Sequence, residues 1–191
     1  MYKKILYCVA VLLAVSCGSA ADKGDKKEET GATVVGSLSN SDLEAGKAAF
    51  IACKNNSKEL HACKTNVAEI FAKYYGYHLM SDHRYVPYDQ IFELVSQSRE
   101  WEELGFASDQ EVLIQAQKNA NNGIGTLAIS LKGSHSVAVV IKGALSHSNS
   151  LGLDCPNVMV LRPKRFNKSF VGKGINYAWS NLGDVKVYSL K

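Results

Sequence analysis

The hydrophobic pattern of this chain changes period near residue 123, and this change restricts the fold more than any other feature. Apolar residues recur at helical spacing between about 41 and 120, whereas beyond Asn121-Asn122-Gly123 they recur with a period of two. The first half therefore predicts helices, and the second half predicts strands with short, antiparallel-looking connections. Helices followed by strands indicate an α+β fold. The 191 residues suit one domain with additional segments.

Capping signals and stop signals give the expected bounds of these elements. One helix is expected to begin at the capping box Ser41-Asp42-Leu43-Glu44 and end near Asn56. The other predicted helices span 62–75, 88–103 and about 108–120. Gly76 is the stop of the first of these, and the last opens with a second capping box, Ser108-Asp109-Gln110-Glu111. The predicted strands are 126–131, 136–142, 158–161 and 185–190.

The N-terminus has the pattern of an export signal. Lys3 and Lys4 precede an apolar stretch, residues 5–15, which is too short for a stable membrane anchor. The segment that ends at Cys17 resembles a bacterial lipobox, although its leucine stands four residues before the cysteine rather than three. We therefore expect a signal peptide over 1–16, a lipid on Cys17 that holds the protein at a membrane, a flexible tether over 17–40 and a folded domain over 41–191. Secretion after cleavage at Ala20 or Ala21 is the alternative.

The charge of the chain argues against nucleic-acid binding. The net charge is +4 and falls to +2 without Lys3 and Lys4, and neither a basic run nor an aromatic ladder supports such a partner. Histidine and cysteine do not show zinc-ligand spacing, so the sequence predicts neither a metal site nor a cofactor.

Three cysteines, Cys53, Cys63 and Cys155, lie in the predicted domain of a protein expected in a disulfide-permissive compartment. Because three is an odd number, at least one thiol is free or pairs between chains. A Cys53–Cys155 bond would leave Cys63 free, whereas a Cys53–Cys63 bond would remove it as a nucleophile. The sequence does not choose between these pairings.

Cys63 is the candidate nucleophile. It stands where the helix predicted over 62–75 begins, and the positive end of a helix dipole favours thiolate over thiol. His135 opens the β-branched run Val137-Ala138-Val139-Val140-Ile141, and a histidine on a facing strand can take the thiol proton and return it to a leaving group.

Three passages resemble the papain-like cell-wall hydrolases, which comprise the NlpC-type peptidases and the CHAP amidases. They are Cys63-Lys64-Thr65-Asn66-Val67-Ala68-Glu69-Ile70-Phe71-Ala72 through Gly76-Tyr77, then Ala116-Gln117-Lys118-Asn119-Ala120-Asn121-Asn122-Gly123 with the strand after it, and Gly133-Ser134-His135-Ser136-Val137-Ala138-Val139-Val140. The resemblance covers about 42–160. It departs from the family at Ser136, which separates the histidine from the Val-Ala-Val-Val run, so that a bulge or a register shift is expected there.

The resemblance implies a papain-like domain in which the nucleophile helix packs on a small antiparallel sheet. It implies hydrolysis of a peptidoglycan amide, either a stem-peptide bond or the sugar–peptide link, by the Cys63 thiolate with His135 as the base. It also implies a third group that orients the imidazole. His147 is the candidate at a similar spacing, and Asp154 and Asn157 are alternatives.

Two other functions also agree with the sequence. One is a papain-like hydrolase or acyltransferase that acts on a different amide or ester. The other is a non-catalytic exported lipoprotein that binds a ligand or partner and holds Cys63 in a disulfide.

Overall fold

A computed structural model describes residues 39–56, 63–133 and 135–191 of this chain. The predicted signal peptide, Cys17 and nearly all of the predicted tether lie outside the described residues. The helices are α1 (Asn40–Asn56), α2 (Asn66–Tyr75), α3 (Ile91–Gln97) and α4 (Gln110–Asn121). The strands are β1 (Met80–Ser81), β2 (Arg84–Tyr85), β3 (Trp101–Phe106), β4 (Thr126–Ser130), β5 (Val137–Val140), β6 (Ser146–Ser148), β7 (Leu153–Cys155), β8 (Asn157–Val160), β9 (Phe170–Gly174) and β10 (Val185–Leu190).

A six-stranded antiparallel sheet forms the centre of the fold, in the order β3-β10-β4-β5-β8-β9. Two small hairpins, β1–β2 and β6–β7, lie outside it. The prediction of helices together with an antiparallel sheet is therefore confirmed at the level of a mixed helix-and-sheet domain. None of the helices in the described part of the chain has the length and apolarity needed to cross a bilayer.

The central strands are buried on both faces, which explains their continuous apolar character. In β5, Val137 and Val139 pack with α1, α2 and α3, whereas Ala138 and Val140 pack with α4. We call the apolar cluster that includes α1, α2 and α3 the first layer, and the cluster that includes α4 the second layer. In β4, Leu127 and Ile129 face the first layer, and Ala128 faces the second. Small residues on the α4 side let that helix lie close to the sheet, where Ala116 and Ala120 are fully buried.

The structure shifts several predicted helix bounds. Ser39 and Asp42 form the reciprocal cap of α1, because each accepts a hydrogen bond from the other's backbone N–H. The predicted box at Ser41 was therefore two residues late. Asp109 caps α4 by accepting from the Glu111 N–H at 2.9 Å. The predicted stop of α2 is confirmed, since Gly76 adopts a φ of 72° and donates to the Ala72 carbonyl.

The helix predicted over 88–103 is wrong in its second half. α3 ends at Gln97, and β3 begins at Trp101 and pairs with β10. β3 is an edge strand, and Glu102 and Glu103 lie at exposed positions along it.

Candidate ligand-binding cavity

Cys63 is disulfide-bonded to Cys53, with their Cα atoms 6.1 Å apart. It lies in a turn three residues before α2, with a φ of 69°, and not in the first turn of the helix as predicted. The alternative Cys53–Cys155 pairing is therefore wrong. The predicted catalytic role of Cys63 requires a free thiol, and Cys63 has none in this disulfide-bonded structure. The dipole argument also weakens, because that effect falls off beyond the first turn.

His135 lies in the turn before β5 and not on the strand. Its φ of 48° is left-handed, and its ring stacks on Phe92 of α3 at a centroid distance of 4.6 Å. The Nδ1 atom is 3.2 Å from the Ser130 carbonyl oxygen. Because a carbonyl only accepts, Nδ1 is the donor, and the neutral ring retains a basic nitrogen at Nε2. The imidazole is thus oriented by a backbone carbonyl.

The candidates for the third catalytic group form their hydrogen bonds with residues other than His135. His147 and Asp154 are cross-strand partners in the β6–β7 hairpin, where His147 Nδ1 lies 2.9 Å from Asp154 Oδ1. Asn157 donates its side-chain amide to the Lys142 carbonyl. The structure therefore does not join Cys63, His135 and His147 into one hydrogen-bonded set.

Cys155 is the free cysteine of the described residues and is fully buried at the end of β7. Burial raises the pKa of its thiol, and the nearby Asp154 carboxylate acts in the same direction. The thiol therefore stays protonated at neutral pH and is a poor nucleophile. In the same described ranges, no three His, Cys, Asp or Glu side chains converge as a metal site requires.

A cavity of about 210 Å³ lies at one end of the sheet, where the two layers meet. Val67 of α2, Val137 and Leu161 contribute from the first layer, and Val160 and Ala178 contribute from the second. The other lining residues are Tyr88, Ser136, Arg162, Pro163, Lys164, Arg165 and Trp179. Most of the wall is therefore apolar.

The cavity lies beside both segments in which the sequence placed catalysis. Val67 follows Cys63 by four residues, and Ser136 follows His135 directly, yet neither Cys63 nor His135 lines the cavity. Tyr88 connects the cavity to the Cys63 segment, since it lines the cavity and donates its backbone N–H to the Lys64 carbonyl at 2.9 Å.

Hydrogen bonds hold the wall of the cavity in place. The indole N–H of Trp179 donates to the Ser136 hydroxyl at 3.1 Å. Arg162 Nη2 donates to the carbonyls of Tyr177 and Ala178 at 3.2 and 2.8 Å. The Arg162 backbone N–H donates to Ser169 Oγ at 2.9 Å, which closes the loop after β8. The wall is thus preorganised rather than a loose surface.

Sequence reasoning missed this cavity. One signal was present, because Arg162-Pro163-Lys164-Arg165 places three cations within four residues directly after a predicted strand. Trp179 carries no comparable local signal, and only the folded chain brings it to Ser136.

Comparison of the chain with models of known protein families and with curated protein sequences gives no match.

Proposed function

We propose that this protein is an exported binding domain, tethered through its N-terminus, whose cavity at the end of the sheet binds the apolar part of a small ligand. The observation that carries the proposal is the 210 Å³ cavity, lined mainly by apolar side chains and bordered by a few polar ones. Binding sites typically combine an apolar concave wall with a small number of placed polar groups.

The size of the cavity limits what enters it. An apolar cavity of about 150 Å³ holds a benzene molecule. A cavity of 210 Å³ therefore suits a group somewhat larger than one ring, or an alkyl chain of about eight carbons. Trp179 and Val137 offer the ring face and branched surface against which such a group would pack.

The disulfide supports both export and a non-catalytic role. Disulfides persist in oxidising compartments, which agrees with the predicted signal peptide and lipid on Cys17. While Cys63 is bonded to Cys53 and Cys155 is buried and protonated, no cysteine of the described residues supplies a thiolate. Peptidoglycan hydrolysis by Cys63 and His135 stays a prediction that needs a reduced Cys63.

Trp179 provides a fluorescent reporter inside the site. The chain has two tryptophans, so Trp101→Phe leaves Trp179 as the single emitter. We expect octanoate or 1-octanol to change its emission in a saturable way. Ala178→Phe fills the cavity and should abolish the change, whereas Ala144→Phe adds the same ring at an exposed position outside the cavity and should preserve it. A change that never saturates, or that survives Ala178→Phe, would overturn the proposal.

A digestion assay separates binding from catalysis. The oxidised protein and Cys63→Ala are incubated with purified peptidoglycan, and released fragments are measured by mass spectrometry. We expect no release from either protein. Fragment release by the wild type that is lost in Cys63→Ala would contradict the non-catalytic assignment and support the hydrolase.

A further inference from the structure

We infer that the ligand of this cavity is an anionic amphiphile, with a single negatively charged head group held by Arg162, Lys164 and Arg165 and an apolar tail held by the wall. This inference rests on the proposed binding function and adds the chemical class of the ligand.

The charge of the lining has one sign. Arg162, Lys164 and Arg165 line the cavity, and no aspartate or glutamate does. The ion pairs among the described residues also leave these three cations unpaired. Elsewhere on the protein, lysines such as Lys132 and Lys186 are paired with carboxylates. The cavity lining therefore carries three positive charges without a counter-ion among the residues that the structure describes.

Arg162 is a fixed cation rather than a mobile one. Its two hydrogen bonds go to neutral backbone carbonyls, which hold the guanidinium without cancelling its charge. Its Nε atom is buried and has no hydrogen-bond partner. A guanidinium that is held by neutral carbonyls in a residue of the cavity lining favours a ligand that brings an anionic oxygen, because hydrogen bonds between ionised groups are stronger than neutral ones.

Lys164 and Arg165 are exposed and follow Arg162 in the same loop. Both residues line the cavity together with the apolar residues Val160, Leu161 and Pro163. Because cations and apolar wall belong to one small cavity, a single molecule that fills it meets both. A tail of about eight carbons with a terminal carboxylate or phosphate has this combination of groups.

The test compares head groups on one tail by Trp179 fluorescence in the Trp101→Phe protein. The probes are octanoate, octyl phosphate, 1-octanol and octylammonium. We expect both anions to bind about tenfold more tightly than 1-octanol, equivalent to about 1.4 kcal/mol, and octylammonium to bind more weakly than the alcohol. The difference should shrink at high salt, since the outer cations are exposed. The tighter anion identifies the head group as carboxylate or phosphate.

Variants then identify the cations that cause the preference for anionic probes. Lys164→Gln/Arg165→Gln alters only exposed side chains and should weaken the binding of octanoate and octyl phosphate more than that of 1-octanol, which reduces the preference for anions. Arg162→Gln should remove most of the preference, and Arg162→Lys should restore part of it. Lys173→Gln is the matched control for Arg162→Gln, because each variant removes one positive charge and Lys173 lies outside the cavity, over the rings of Phe170 and Tyr177.

The outcomes distinguish this inference from the proposed function. If 1-octanol binds as tightly as octanoate and Ala178→Phe abolishes both, the cavity is a binding site and the anionic class is wrong. If Lys173→Gln reduces the preference as much as Arg162→Gln does, net charge explains the result and the inference also fails. If none of the four probes binds, both the inference and the proposed function are overturned.

Discussion

Cys63 is covalently joined to Cys53, which places the turn before α2 against the last turn of α1. The sequence marked Cys63 as a nucleophile because of where it stands before a helix. The bond instead makes it part of a clamp between two helices whose apolar faces share one cluster, which includes Phe50 and Phe71. The same residue thus has a structural role in the oxidised protein.

Removal of this disulfide should lower stability. The bond closes a loop of ten residues in sequence separation, and Cys53→Ala/Cys63→Ala should reduce the free energy of unfolding by about 2–3 kcal/mol through the entropy of the unfolded chain. Urea denaturation of the oxidised wild type and the double variant measures the loss. A reductant should destabilise the wild type and leave the double variant unchanged. Equal urea midpoints for the two oxidised proteins would contradict the clamp.

Thiol reactivity should separate the three cysteines of the domain. Iodoacetamide should modify none of them in the folded protein, because Cys53 and Cys63 are bonded and Cys155 is fully buried. Denaturation without reductant should expose Cys155 alone, and denaturation with reductant should expose all three. Mass spectrometry of the alkylated peptides identifies the modified cysteines under each condition. Rapid alkylation of Cys63 in the folded, unreduced protein would show that the bond is absent.

Stability should fall at alkaline pH through Tyr188. Burial, with the Glu103 carboxylate beside its hydroxyl, raises the pKa of Tyr188 to about 12 from an ordinary value of 10.0. Between these two pKa values the folded state keeps a proton that the unfolded state loses. The contribution of Tyr188 to the free energy of unfolding is therefore complete below pH 10 and is lost as the pH rises through 12. Burial raises the pKa of Tyr75 in the same direction.

The measurement is urea unfolding at several pH values between 9 and 12. Tyr188→Phe should show a smaller fall in the free energy of unfolding than the wild type, because one titrating group has been removed. Tyr177→Phe, which changes an exposed ring, is the control and should follow the wild-type curve. A Tyr188→Phe curve parallel to that of the wild type would argue against this account.

A buried hydrogen bond between α4 and β10 should contribute to the free energy of unfolding. Asn119 donates its side-chain amide to Ser189 Oγ at 2.8 Å, and both residues are buried. Ser189→Ala leaves that amide donor without its partner, at a cost of about 1–3 kcal/mol. Thermal or urea denaturation measures the loss. Ser180→Ala, at an exposed position, should change stability by less than about 0.5 kcal/mol. A loss at Ser189 no larger than at Ser180 would mean that the amide finds another partner.

Local patterns predicted much of the framework. The stripe Val67, Ile70, Phe71 and Tyr74 follows the helical period, and all four residues are buried against the sheet. The strands predicted at 126–131 and 185–190 appear nearly as expected, because short apolar runs bounded by turn residues are typical of strands. β3 and β9 were missed, since edge strands gain their structure from pairing with a neighbour and carry little local pattern.

The sequence by itself determined the helices α1, α2 and α4 and the strands β4, β5, β8 and β10, because these depend on residues close together along the chain. It did not determine the order of helices and strands, since β3 lies between α3 and α4 and joins the main sheet. Tertiary structure decided what the chemically important side chains do. It paired Cys63 with Cys53, placed His135 in a turn against Phe92, and brought Trp179 and Arg162 to one cavity. Those outcomes depend on distances between segments remote in sequence, which no local pattern encodes.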